Sequence, residues 1–377
     1  MEAIRVLVDY GLPFIPILTL VVFVHELGHY LIARYNGVKV EAFSIGFGPE
    51  LFGWNDKAGT RWRVGALPLG GFVKMFGDTD AASTGGVDPS KLSAEEQAVS
   101  FHHKRVGQRS AIVFAGPAMN FVFSILLMTV LFSTSGQQST APKVDTVDPD
   151  SPAAAAGIEA GDVIRNIDGH RIDRFEDMQR IVRDNPGTAL SVKLERAGQE
   201  LTVTATPGTN TLTDRFGSVH KFGQLGLRSS EIQTVRYDPA TAAWRAGTEI
   251  WDMSIMTLKS LGEIVIGARS TDDLGGVLRI AHMSGEVARS GIVTTLTFIA
   301  LLSINLGLIN LFPIPVLDGG HLMFYAAEAL RGRPLGRRVQ EFGSLMGLAA
   351  VMALMVFATW NDLVHIGVVA RIVSLFG

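Results

Sequence analysis

His25-Glu26-Leu27-Gly28-His29 lies inside an apolar run from Leu12 to Ala33, and that setting decides how the chain is read. A run of that length is about the 20 residues a helix needs to cross the hydrocarbon of a bilayer. On such a helix His25 and His29 stand one turn apart on one face, so two imidazoles reach a single zinc ion with Glu26 beside it. Ionisable side chains are expensive at that depth and mark function. A chance match on a helix surface fails for the same reason, because a lipid-facing surface would not tolerate three such groups.

Composition supports a membrane protein that also carries a polar domain. Hydrophobic residues make up 47% of the 377 positions and charged residues only 18%, with a mean hydropathy of +0.28. The net charge of −3 gives no basis for nucleic-acid binding. Cysteine is absent, which removes disulfides, thiol catalysis and thiolate-held zinc together. Any zinc must then be held by His, Asp or Glu. Only Arg5 is basic ahead of the first apolar run, and the run is long for a signal peptide, so the expectation is that it stays in the mature chain.

Downstream, Val38 to Phe52 and Arg61 to Phe76 are rich in Val, Phe, Trp and Gly and read as short strands joined by glycine turns. Such a segment beside a membrane site either offers an edge for an extended peptide or merely packs on the helices. Asp78 to Ser100 reads as a polar loop with a short helix near Ser93 to Ala98. Ala111 to Phe132 is a second apolar run holding Gly116-Pro117 and Asn120; Asn120 is either an interhelical hydrogen bond or a neighbour of the site. Ser133 to Pro142 reads as a linker.

About Lys143 to Arg228 the pattern becomes that of a small α+β module, with strands at Val144 to Val147, Val163 to Ile167, Leu190 to Glu195 and Leu201 to Ala205. Helices are expected at Ser151 to Ala156 and Phe175 to Asp184. It has no His or Cys cluster and reads as a binding module. Trp244 to Ile266 has helical periodicity suited to a membrane surface. Gly291 to Leu311 is a third apolar run, ending in Asn310-Leu311-Phe312-Pro313-Ile314-Pro315-Val316-Leu317-Asp318-Gly319-Gly320. Two prolines one residue apart stop a helix, and irregular backbone at membrane depth must be buried in protein or line a cavity. Asp318 and His321 are both candidates on spacing for a third zinc ligand, with Asp318 nearer the proline break. The remaining histidines, including His220, His282 and His365, read as ordinary surface residues. Phe342 to Trp360 is the fourth run, and Asp362 to Phe376 an amphipathic tail.

The fold class expected is thus a polytopic α-helical membrane protein with four transmembrane helices, a membrane-associated β hairpin and one inserted α+β domain. The division runs 1–34 for the first span, 35–109 for the β region and loop, 110–133 for the second span and 143–228 for the module. A linker with an amphipathic helix follows at 229–290, then the third span with its proline motif at 291–318. A basic loop at 319–341 and the fourth span with its tail at 342–377 complete it. Lys104, Arg105 and Arg109 precede the second span, and Arg331, Arg333, Arg337 and Arg338 precede the fourth. The positive-inside rule puts both loops in the cytoplasm and the module on the other side. His25 and Asp318 then fall at similar depth, toward the cytoplasmic face.

These motifs resemble the site-2 protease family of intramembrane metalloproteases, and within it the bacterial RseP-type regulators of sigma factors. His25 to His29 matches the family's HExxH, and Asn310 to Gly319 its N-x-x-P-x-P-x-L-D-G. Gly46-Phe47-Gly48, Gly70-Gly71-Phe72 and Gly116-Pro117 with Asn120 are similar to further family elements. The module is similar to a circularly permuted PDZ domain through Ala156 to Ile164, with Gln224-Leu225-Gly226-Leu227 resembling the loop that binds peptide carboxylates. Two departures stand out. The chain has room for one PDZ domain where well-known members have two, and Gly275-Gly276-Val277 replaces a Gly-Pro-Ile type sequence.

The resemblance implies a zinc metalloprotease of the bacterial inner membrane, with the PDZ domain periplasmic. His25, His29 and Asp318 would hold Zn2+ and Glu26 would act as general base. Asn310, Pro313 and Pro315, with Gly70, Gly71 and Phe72, would meet the substrate. Gln224 to Leu227 would take peptide C-termini. Substrates would be single-span membrane proteins such as anti-sigma factors, cleaved within the lipid bilayer. The competing reading is a non-catalytic PDZ membrane scaffold, against which a complete HExxH argues, since a structural metal has no use for Glu26. A metal-ion transporter is weaker, because the later spans offer few ligands.

Overall fold

The computed structural model describes residues 7–77, 92–213, 219–267 and 275–365. The chain divides into two compact units, one of Met1–Val130, Ala243–Gly262 and Ser270–Gly377, the other of Leu131–Ala242 and Glu263–Arg269.

Helix α1 (Leu12–Tyr35) carries the HExxH motif and buries Val21, Val24, His25, Gly28 and His29 along one side. It stops where the Asn36 side chain donates to the Ile32 carbonyl at 2.8 Å and Gly37 adopts φ 69°. Strands β1 (Val40–Asn55) and β2 (Arg61–Met75) follow, and their register is more than that of a simple hairpin. Arg61 to Val64 pairs with both Phe52 to Asn55 and Ala42 to Ile45. The end of β2 crosses over, so that Gly71 to Met75 pairs with Val40 to Ile45 from the other side. Gly46 makes the bend possible, with φ 85° and no room for a Cβ beside the Leu67 carbonyl. The result is a sheet of four short segments with Gly71 to Met75 along one edge. Pro68, Gly70 and Gly71 therefore do not end the sheet; they redirect it.

The turn between β1 and β2 is tied to α1 through Asp56. Its carboxylate accepts from the Tyr30 hydroxyl at 2.9 Å, the Trp62 indole at 3.0 Å and the Ala58 and Thr60 amides. Burial pushes this carboxyl up, but those hydrogen bonds outweigh it and hold it at about 2. After the short helix α2 (Ala94–Val99), capped by Ser93, comes α3 (Val106–Thr134), which runs unbroken through Pro117. A Cβ at Gly28 would stand 2.2 Å from the Ala115 carbonyl, so that glycine lets α1 and α3 touch backbone to backbone.

The second unit begins with β3 (Gln137–Thr140), β4 (Thr146–Val147), α4 (Pro152–Ala155) and β5 (Val163–Ile167). Then come β6 (His170–Arg171), α5 (Phe175–Asp184), β7 (Leu190–Arg196), β8 (Gln199–Ala205), β9 (Gly208–Thr213), β10 (Val219–Gln224), β11 (Leu227–Arg228) and β12 (Ile232–Val235). Four strands form one sheet in the order β6-β5-β7-β8. Period-two patterning drives it: Leu190, Val192 and Leu194 turn inward while Ser191 and Lys193 face out. Helix α5 closes the core with Phe175, Met178 and Val182. The stretch Gly157 to Asp162 is clasped by Arg196, which meets the buried Asp162 carboxylate at 2.7 Å and the Gly157 carbonyl at 2.7 Å. The expectation of a linker at Ser133 to Pro142 is corrected here. It holds β3, which pairs with β12, and alternate residues Gln137 and Ser139 are buried.

Helix α6 (Pro239–Val265) exposes Trp244, Trp251 and Met256. Helices α7 (Val277–Ser290), α8 (Ile292–Asn310), α9 (Asp318–Arg331) and α10 (Arg337–His365) end the described chain. The basic loop expected at 319–341 thus holds a 14-residue helix, because the alternation of Ala, Leu and Met beyond Gly320 suits one, and Gly332 in the left-handed region stops it. Among the described residues, four helices are long and apolar enough to cross a membrane: Asp9–Tyr35, Val106–Thr134, Ile292–Asn310 and Arg338–Val364. The amphipathic reading of the tail beyond His365, the lone basic Arg5 ahead of the first apolar run and the loop at 78–91 lie outside the described residues, as do the side chains of His220 and His365.

The Gly275-Gly276-Val277 departure has a physical cause. Asp362 of α10 is buried and accepts from the Gly276 and Arg279 amides at 2.9 and 3.0 Å, capping α7 from another helix. A Cβ at Gly276 would lie 2.8 Å from that carboxylate. Asp362→Ala should lower stability to thermal unfolding in detergent by about 1–2 kcal/mol, with Asp362→Asn losing less. Because the Asp56 pKa is lowered by folding, its contribution is full above the unfolded value near ~4 and disappears as pH falls through about 2. Asp56→Asn should remove that acid limb from a plot of melting temperature against pH.

Candidate metal centre

The helical spacing of His25 and His29 sets their Nε2 atoms 3.2 Å apart. Asp318, the first residue of α9, reaches the same point: its Oδ2 lies 3.1 Å from His25 Nε2 and 3.5 Å from His29 Nε2. Among the described residues these three form the group of His, Cys, Asp and Glu side chains whose ligand atoms can share one metal ion. Tetrahedral zinc with ligands at 2.0–2.1 Å sets its donors about 3.3 Å apart, which the three separations bracket. Asp318 Oδ2 is buried and makes no hydrogen bond of proper geometry despite its two neighbours. Three donor atoms turned on one another on the wall of a cleft are what a cation reconciles. The residues fit zinc.

The backbone that delivers Asp318 is irregular, as two prolines dictate. Val316 is held at φ 99°, a conformation strained for a β-branched residue. Gly319 and Gly320 let the first turn of α9 press on this loop, since a Cβ at either would stand 2.3 or 2.4 Å from a loop carbonyl. Arg109 of α3 pairs with Glu328 of α9 at 2.7 Å and lies over the Tyr325 ring, fixing the far end of the helix. Sequence reading took Arg109 only as a topology charge; nothing in one chain's sequence links it to a carboxylate 219 positions on.

Room for the imidazoles comes from Gly116, where a Cβ would fall 2.3 Å from His29 Nε2 and 2.9 Å from His25 Cε1. The sequence marks Gly116 as a small residue in an apolar run, but gives no sign that the space it leaves is for the imidazoles. His29 Nδ1 donates to the Ile112 carbonyl at 2.9 Å. Asn120 is wholly buried, with its side-chain nitrogen 3.3 Å from His25 Nδ1. Glu26 takes a hydrogen bond from the Val73 backbone, and Gly71 lies so close that a Cβ there would be 3.2 Å from Glu26 Cγ. Phe72, Val73 and Lys74 of β2, with Asn310, Val316 and His321, line the same cleft. Pro313 and Pro315 stand in the loop between α8 and α9, and Gly70 packs on the Phe47 ring; none of the three is among the residues lining the cleft.

Far from this cleft in sequence, Gln224 ends β10 exposed, with its side chain bonded to Asn210. Leu225 is buried in the module's core, and Gly226 has φ 77°. Leu227 pairs with Val147. Of the four, Gln224 and Leu227 present side-chain surface.

A zinc-type donor set on apolar helices, with a glutamate between the two histidines, defines a membrane metalloprotease. The profile of peptidase family M50 matches residues 13–354, and the chain belongs to that family. It is similar to a protein of Agrobacterium fabrum that carries a zinc-metalloprotease name, at 45% identity over 96% of this chain and 98% of that one. It is also similar to Metalloprotease MmpA of Caulobacter vibrioides, at 38% identity over 96% of both chains. A solved PDZ domain of an SdrC-like protein from Listeria monocytogenes aligns over 23% of this chain and 84% of that one, at 19% identity and a TM-score of 0.18, too low to bear weight. The protein is a multi-pass zinc metalloprotease.

Asp318→Ala should abolish stoichiometric zinc in the purified protein, whereas His321→Ala should retain it, as read by elemental analysis; the reverse pattern would make His321 the ligand.

Proposed function

We propose that the protein performs regulated intramembrane proteolysis, cleaving single-span membrane proteins such as anti-sigma factors inside the bilayer. The observation that carries this reading is the seating of the His25, His29 and Asp318 cluster against helices long and apolar enough to span the membrane, with Glu26 on the same helix. The three ligands would hold zinc, which when bound polarises a scissile carbonyl and acidifies water.

The chain's own residues supply the rest. Glu26 accepts the proton of the attacking water and returns it to the leaving amine. Asn310, on the cleft wall, orients the substrate backbone or supports the developing oxyanion. A peptide bond within a helix is shielded by its own hydrogen bonds, so the substrate must unwind. Gly71 to Met75 offers compensation. It pairs with β1 on one side only among the described residues, and its Phe72 to Met75 stretch lines the cleft. Gly70, Gly71 and Phe72 would begin that contact, and Pro313 and Pro315 would hold the opposite wall open.

The basic residues flanking the second and fourth spans favour a cytoplasmic-side active site in a bacterial inner membrane, with the module at 143–228 in the periplasm. That module is read as PDZ-like, taking peptide C-termini near Gln224 to Leu227.

Glu26→Gln tests the reading. Expressed in the same membranes as the wild type, it should keep zinc and partner binding but lose cleavage by at least about a hundredfold, compared through the small membrane-protein fragments seen by mass spectrometry. Unchanged fragments would favour a scaffold.

A further inference from the structure

The two histidines are held differently on the side away from Asp318, and the difference is informative. Both turn Nε2 toward the carboxylate and Nδ1 toward α3. The partner of His29 Nδ1 is the Ile112 carbonyl, which can only accept. The proton of neutral His29 therefore sits on Nδ1, and Nε2 keeps the lone pair a metal needs.

The partner of His25 Nδ1 is the Asn120 amide, whose nitrogen lies at 3.3 Å while its buried Oδ1 has no partner. In that orientation the amide donates to Nδ1, which forces the His25 proton onto Nε2 and blocks metal binding there. Amide oxygen and nitrogen are nearly the same shape, and hydrogen bonding alone decides which is which. A half-turn of the amide sets Oδ1 against Nδ1 and gives His25 the tautomer that His29 already has.

The surroundings argue that this side chain serves His25 and not helix association. The bond between α3 and α8 at this level is made by serines. Ser303 Oγ donates to the Asn120 carbonyl at 3.1 Å, and Ser124 Oγ lies 2.8 Å from that carbonyl and 3.0 Å from the Ala300 carbonyl. The Asn120 backbone is thereby fixed, and its amide is left to face α1.

We propose that Asn120 is a positioning residue whose Oδ1 accepts a hydrogen bond from His25 Nδ1–H, holding the His25 Nε2 lone pair on the zinc position. This rests on the ligand set of the proposed function, and the test separates the two. Zinc affinity of the full-length protein in detergent is measured by chelator competition, alongside thermal unfolding of the metal-free form. Asn120→Leu, which removes the acceptor at similar volume, should weaken zinc about 10–100-fold without a matching loss of metal-free stability. Asn120→Asp, which keeps an acceptor, should stay within about threefold of wild type. Zinc binding lost in His25→Ala but undiminished in Asn120→Leu overturns the proposal alone, as does an Asn120→Asp variant as weak as Asn120→Leu. Undiminished zinc in His25→Ala removes the ligand set and the proposal with it. Should Asn120→Leu not fold, nitrogen-15 spectra of zinc-loaded wild type decide. A slowly exchanging His25 Nδ1 proton that shifts in Asn120→Asp is expected; a rapidly exchanging one that ignores the substitution overturns the proposal.

Discussion

Everything in the membrane unit answers to one demand, that two imidazoles and a carboxylate share a point of about atomic size. One turn of α1 supplies the histidines, and a proline-broken loop supplies Asp318. Neither segment can move far without separating the donors, so the neighbours are built to deny movement. Backbone contact at Gly28, the space left at Gly116 and the half-buried Arg109–Glu328 pair each remove one freedom. Each is a small or oppositely charged group placed where an ordinary side chain would force the helices apart.

The price of polar groups in an apolar setting explains the second layer. A bare histidine Nδ1 at this depth would be an unsatisfied donor. Here one faces a backbone carbonyl and the other an amide. Glu26 is met by the edge of β2, so α3 serves both imidazoles and the sheet serves the glutamate. Polar chemistry survives here because the fold distributes its hydrogen bonds before any substrate arrives.

Much of this was legible in the residues. Apolar runs gave the four spans, because lipid imposes a length and a composition that leave few alternatives. The HExxH spacing put two imidazoles on one helix face, because helix geometry is local, while spacing near the proline break left Asp318 and His321 both open; it is Asp318 whose carboxylate meets the imidazoles. Less legible were features that depend on distant partners. Ser133 to Pro142 looked like a linker since its Gln, Ser and Thr suit either state, and only β12, nearly a hundred residues on, makes it a strand. The helix after Asp318 was hidden by the glycines at its start, which are there for contact with the loop and not for flexibility. Gly276 had no local meaning at all until Asp362 was found against it.

The antiparallel pairing of β3 with β12 carries a last implication. Gln137 sits opposite Val235 and Thr140 opposite Ile232, so the chain leaves for the module and comes back from it through one narrow neck. Whatever is threaded between those two strands, of whatever size, returns the polypeptide to the spot from which it departed. Recognition units can then be exchanged, doubled or dropped during evolution while the helices holding the metal keep their lengths and their order.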